Sequence, residues 1–172
     1  MSNATRVRQF RKVLFATSLV IFMSPASLFA ADPKIDLKIV DNGGKFKIVF
    51  ENSECPSDPA LLGCINVAKG SKNWLQWEVK QGDWQNGWDL SDLQLIWDDP
   101  GLTNCIVNDF DVNPQTGYAN DFRVEGNGKQ GKVRDDNDCE FAYEVNYRIY
   151  ARNRDTGKMA DSDPVIRNGG RE

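Results

Sequence analysis

From Phe141 to Ile149 the chain changes character at every second position: Phe141, Tyr143, Val145, Tyr147 and Ile149 share one phase, while Glu140, Glu144, Asn146, Arg148 and Arg152 fall on the other. A period of two places these sets on opposite faces of an extended strand. One apolar face and one wet face is the pattern of an antiparallel sheet lying on a core. The same period recurs in Ile35, Leu37 and Ile39, and again in Phe46, Ile48 and Phe50. Between them stands Asp41-Asn42-Gly43-Gly44. Asn and Gly tolerate positive φ, so this stretch predicts a β-hairpin.

Shorter runs follow. Ile65 and Val67 mark one, and Leu75, Trp77 and Val79 another. Trp88 and Leu90 lead into Leu93, Leu95 and Trp97. Ile106, Asn108, Phe110 and Val112 alternate more loosely. Phe122 with Val124, Val133, and Val165 with Ile166 complete the set. Past residue 31, no window longer than ten residues shows a helical period. Eight or nine short strands in roughly 140 residues predict an all-β domain, an antiparallel two-sheet β-sandwich of immunoglobulin-like kind. A jelly roll or a small barrel is the alternative.

The first thirty residues read differently. Arg6, Arg8, Arg11 and Lys12 precede an apolar run from Val13 to Met23, and small residues close the segment at Ala30 and Ala31. This is the pattern of a cleaved signal peptide, with cleavage expected between Ala30 and Ala31. The apolar run is short for a membrane span, which needs about 20 residues. The expected organisation is therefore a signal at 1–30, a single disulfide-bonded β domain at 31–168, and a frayed tail at 169–172. The absence of an Asn-x-Ser/Thr sequon past the signal favours a bacterial periplasmic or secreted protein.

Export gives the cysteines their meaning. Cys55, Cys64, Cys105 and Cys139 are an even number in a small exported domain, which predicts two disulfides. Cys55–Cys64 would close a short loop rich in Pro and Gly, leaving Cys105–Cys139 to link two strands. A four-thiolate metal site is the alternative, but neither half has Cys-x-x-Cys spacing.

Charge and composition exclude several functions. Beyond residue 30 there are 17 basic and 25 acidic residues, a net charge of −8. An acidic surface argues against nucleic acid and against anionic membranes. There is no histidine. That removes the commonest general base near neutral pH and most catalytic zinc sites. No nucleophile elbow, phosphate loop or dinucleotide fingerprint occurs. Gly126-Asn127-Gly128 has no helix after it and reads as a hairpin loop.

Two sets of residues carry candidate chemistry. All five tryptophans lie between positions 74 and 97. Trp77 and Trp97 are in phase with core residues. Trp74 is out of phase, Trp84 sits in a polar stretch, and Trp88 is ambiguous. Trp74, Trp84 and Trp88 are therefore the candidates for an aromatic platform that stacks on sugar faces or anchors a protein interface. Their plainer reading is that the rings cover sheet edges or fill the core. The second set is Asp109, Asp111 and Asn113, spaced like the start of a calcium loop. Pro114 and Asn120 stand where an EF-hand needs Gly and Glu, so only a sandwich-type calcium site would fit. That site could also draw on Asp98, Asp99 or the run Asp135-Asp136-Asn137-Asp138. The plainer reading is turn capping.

These features predict an exported, non-enzymatic domain that binds an unknown protein or glycan. The alternatives are a carbohydrate-binding module using exposed Trp, a small carboxylate-based hydrolase, and a structural or adhesive envelope subunit that lends or borrows a sheet edge.

Overall fold

The computed structural model describes residues 32–55, 58–68, 70–162 and 164–169. The signal segment 1–30 and tail residues 170–172 lie outside the described residues. Gly169, expected in the frayed tail, donates its amide to the Val67 carbonyl at 2.9 Å.

The first hairpin forms as its pattern requires. Strands β1 (Lys34–Asn42) and β2 (Lys45–Phe50) pair antiparallel with Asn42 opposite Lys45. Gly43 and Gly44 make the turn at φ of 66° and 86°, values that L side chains rarely adopt. Ile35, Leu37, Ile48 and Phe50 point inward and are buried.

The remaining strands are β3 (Ile65–Val67), β4 (Asn73–Val79), β5 (Trp88–Ile96), β6 (Arg123–Glu125), β7 (Gln130–Asp135), β8 (Tyr143–Asn153), β9 (Met159–Ser162) and β10 (Val165–Asn168). They join one ten-stranded sheet in the order β3-β10-β8-β9-β2-β1-β4-β7-β6, with β5 on the other side of β8. The domain is all-β in class, but its pairing is not wholly antiparallel as expected. β1 runs parallel to β4, β10 to β3, and β2 to β9. Alternation along a strand reports which face is buried and says nothing about a neighbour's direction, so both pairings fit one pattern.

Three strands separate β4 from β8 in that order. Even so, Trp77 of β4 and Tyr147 of β8 have ring centroids 5.4 Å apart, and Trp77 Nε1 donates to the Tyr147 hydroxyl at 3.0 Å. The sheet therefore curls over and encloses its core. Both residues are fully buried, and the Tyr147 hydroxyl donates onward to the Gly63 carbonyl at 2.7 Å.

In β5 the inward phase changes from Trp88 and Leu90 to Leu93 and Leu95. A register shift between Leu90 and Asp92 absorbs the odd residue as a β-bulge.

Three local expectations are corrected. The segment around Ile106 is a helix, α2 (Thr103–Phe110), not a strand. Leu102, Ile106 and Phe110 are spaced by four, which satisfies a helical face as well as an even phase. The exposed Asn108 decides between the two. The polar stretch around Trp84 contains a single helical turn, α1 (Gln81–Gln85). Phe141, expected on the buried face of β8, lies before that strand and is 52% exposed.

Both expected cysteine pairs are present. Cys55 and Cys64 are bonded with Cα atoms 5.6 Å apart, and Cys105 and Cys139 with Cα atoms 4.9 Å apart. Two disulfides are consistent with an oxidising compartment. No helix among the described residues is long and apolar enough to cross a membrane.

Candidate functional site

Four element ends converge beside the Cys105–Cys139 bond. They are the last turn of α2, the end of β7, the start of β8 and the end of β10. Each delivers a polar side chain to the interior: Asp109, Asp135, Tyr143 and Asn168. All four are buried, with Asp109 at 1% and Asp135 at 0% exposure.

Tyr143 donates its hydroxyl to Asp109 Oδ2 at 2.6 Å. The other oxygen of Asp109 accepts the amides of Asp138 at 2.5 Å and Cys139 at 3.1 Å. The disulfide holds these two amides in place, because Cys139 is tied to Cys105 four residues before Asp109 in the same helix. Asp135 Oδ1 accepts the Asn137 amide at 2.8 Å. Asn168 Nδ2 lies between the acids, 3.2 Å from Asp109 Oδ2, 3.2 and 3.1 Å from the two oxygens of Asp135, and 3.2 Å from the Tyr143 hydroxyl.

Two amide hydrogens cannot serve four acceptors at once. A proton retained on an acid supplies a further donor. Burial pushes the Asp135 carboxyl up to about 8, helped by the charge of Asp109. Burial also raises Asp109, but its bonds from Tyr143 and the Asp138 and Cys139 amides oppose the rise. Asp135 is thus the acid that keeps its proton at neutral pH, and Asp109 the one equipped to carry charge. Tyr143 is pushed well above the ordinary phenol range by burial and by Asp109, so it remains a donor.

A protonated and an ionised carboxyl side by side resemble a catalytic acid–base pair in composition. Their burial keeps substrate from reaching either one. What this arrangement does is clamp four elements together through charge-assisted bonds.

The calcium candidates separate. Asp109 points into this cluster. Asp111 leaves the helix at φ 45°, is exposed, and accepts from Asn120 Nδ2 at 3.2 Å. Asn113 Oδ1 accepts the amides of Gln115 and Thr116 at 2.9 and 3.2 Å, which is turn capping. Asp99 caps Gly101 in the same way, and Asp136 pairs with Arg134 at 2.8 Å. Among the described residues no group of three or more acidic or cysteine side chains is arranged to hold a metal ion.

The tryptophans also separate. Trp88 is 6% exposed and packs on Phe46 with centroids 5.0 Å apart. Trp84 is half-buried; its Nε1 donates to the Asn127 carbonyl at 3.0 Å and Arg154 lies over its ring at 5.7 Å. Arg154 is itself tied to Asp89 at 2.6 Å. Trp74 is half-buried on the outer face of β4, with Arg123 4.8 Å and Lys132 5.1 Å from its ring centre. Trp74 pairs across to Arg134 at one end of the β4–β7 ladder, whereas Trp84 reaches the turn beyond Gln130 at the other. The three rings do not form one platform.

Tyr143 and Asn168 were not picked out as site residues by sequence reasoning, and Asp135 only as part of an acidic run. A signal existed. Asp135 follows Val133, and Asn168 follows Ile166, in the buried phase of each strand. A polar residue in that phase needs a buried partner. Matched against models of known protein families and against curated proteins, the chain finds no counterpart in either.

Proposed function

We propose that this domain is a non-enzymatic binding module whose contact surface is the outer face of β4, β7 and β6. The observation that carries this reading is Trp74, an outward-facing ring flanked by Arg123 and Lys132. Arg134 stands opposite it on β7. Lys132 also pairs with Glu125 at 2.6 Å and Arg134 with Asp136 at 2.8 Å, so the patch is aromatic and of mixed charge, with the Arg123 guanidinium over the Trp74 ring. Such a patch suits a partner offering carboxylate or sulfate groups together with a flat apolar face. An acidic glycan and an acidic protein segment both have that chemistry.

Strand addition receives less support. The end strands β3 and β6 have three residues each, and the outer edge of the nine-residue β5 is partly taken up by the 117–119 segment, through Leu95 N donating to the Gly117 carbonyl and Ala119 N to the Leu93 carbonyl; short or covered edges discourage pairing with another chain. The two disulfides support the reading that the domain is exported and works outside the cytoplasm, in a bacterial periplasm or beyond it. The facing of β4 and β8 supports describing the curled sheet as a two-layer, immunoglobulin-like sandwich.

An array carrying uronic-acid, sialylated and sulfated glycans together with acidic peptides tests the reading. Binding is expected to weaken with added salt and to be lost in Trp74→Ala and Arg123→Ala. If no probe binds, or if both variants bind as the native protein does, the assignment is wrong.

A further inference from the structure

A concavity separate from the Trp74 face lies at the far end of β5. It has a volume of about 230 Å³ and runs between the end of that strand and the turn at 114–117. Gln94, Ile96, Trp97, Pro114, Gln115 and Thr116 line it. No lining residue among those described is charged, although 27% of the chain is. The lining is instead one large aromatic ring, apolar edges and amide or hydroxyl groups.

Its parts are held in place from behind. Gln94 Nε2 donates to the Thr116 carbonyl at 2.8 Å, and Gln94 Oε1 accepts from the Tyr150 hydroxyl at 2.8 Å. Each Gln94 terminus is fixed by one bond, leaving an amide hydrogen and a lone pair for a ligand. Trp97 is half-buried, and its Nε1 donates to Thr103 Oγ1 at 3.1 Å, which sets the ring's orientation. The turn is fastened to β5 by Leu95 N donating to the Gly117 carbonyl at 2.8 Å. Gly117 has φ of 74°, and a Cβ there would run into the Leu95 carbonyl oxygen, so the turn lies flush against the strand. Gln115 is exposed, and its side chain makes no hydrogen bond among the described residues. Beside the groove Tyr118 is 41% exposed, with its ring centroid 6.0 Å from that of Tyr150.

From this geometry we infer that the groove binds a neutral sugar ring, with the sugar's apolar face against Trp97 and its hydroxyls on Gln94 and Gln115. Charge decides the ligand class: an anion or a cation would enter with no counter-charge in the lining, whereas hydroxyls match amides that both donate and accept. Size agrees. Pockets for drug-sized ligands run to about 300–1,000 Å³, so this smaller groove takes one ring of a chain rather than a long segment. The site shares no residue with the Trp74 face, and failure at either leaves the other standing.

Titration of the purified protein with cellohexaose, maltohexaose and mannohexaose, followed by calorimetry and by the side-chain amide NMR signals of Gln94 and Gln115, tests the inference. At least one of these sugars is expected to bind and to shift both amide pairs. Gln115→Ala, a change at an exposed side chain, is expected to weaken that binding about fivefold, the equivalent of one hydrogen bond. Trp97→Phe is expected to weaken it further, whereas Trp74→Ala leaves it unchanged. Absence of binding by all three sugars overturns the inference, as does binding that Gln115→Ala and Trp97→Phe leave at the native value.

Discussion

Tyr143 and Asp109, 34 residues apart in sequence, meet in the interior with the phenol donating to the carboxylate at 2.6 Å. The bond joins the first residue of β8 to the last turn of α2. Asn168 and Asp135 share the space. Removing the phenol therefore leaves Asp109 Oδ2 with the Asn168 amide alone. Tyr143→Phe is expected to cost about 1–3 kcal/mol, the range for a buried polar group that loses a partner. Urea unfolding measures it, and an unchanged midpoint would show that the bond contributes nothing.

Asp135 should make stability fall as pH rises. Its folded-state value of about 8 lies above the ordinary 3.8, so the folded protein keeps a proton that the unfolded chain releases. The contribution is complete below about pH 4 and is lost by about pH 8, with a slope of up to ~1.4 kcal/mol per pH unit between. Asp135→Asn keeps the shape and removes the titration. Thermal unfolding from pH 4 to 9 is expected to show the native decline flattened in this variant.

Glu78 acts on the opposite limb. Its bonds from Lys129 and Lys34 hold it down to about 2 from the ordinary 4.5. That stability is present above pH 4.5 and disappears as pH falls toward 2. Glu78→Gln is expected to lose less than about 1 kcal/mol at pH 7, since ion pairs at a surface contribute little. It should also blunt the acid decline between pH 4.5 and 2, as followed by circular dichroism.

The two disulfides should not be equal. They span 34 and 9 residues, and loop-closure entropy makes the longer one worth about 1 kcal/mol more. Losing Cys105–Cys139 also frees the Asp138 and Cys139 amides that bind Asp109. The pair Cys105→Ser and Cys139→Ser is expected to lower the denaturant midpoint more than Cys55→Ser and Cys64→Ser.

Alanine at the tryptophans separates core from surface. Trp77 is fully buried, and Trp77→Ala is expected to cost about 3–5 kcal/mol. Trp74→Ala removes two cation–ring contacts on an outer face and is expected to cost about 1–2 kcal/mol. Equal losses in thermal unfolding would rule out Trp74 as a surface residue kept for binding.

Residue pattern alone dictates the local structure. Alternation assigned Ile35, Leu37, Ile48, Leu75, Trp77 and Tyr147 to the interior, because side-chain direction along a strand depends only on position. Asn42-Gly43-Gly44 placed the hairpin, because only such residues accept its backbone. The short Cys55–Cys64 loop gave the first cysteine pair and left Cys105–Cys139 as the second, although the latter joins helix α2 to a loop and not two strands. Tertiary structure decided whatever depends on a neighbour. Ile106 and Phe110 stand four apart and fit a strand or a helix, and contact with the rest of the core chose the helix. Strand order, the three parallel pairings and the unexpected β9 depend on which backbone lies alongside, which no period records. The same holds for Asp109, Asp135, Tyr143 and Asn168. Each is an ordinary polar residue near the end of its own element, and only the packing of four elements sets a protonated Asp135 beside Asp109 and gives the two acids a common donor in Asn168.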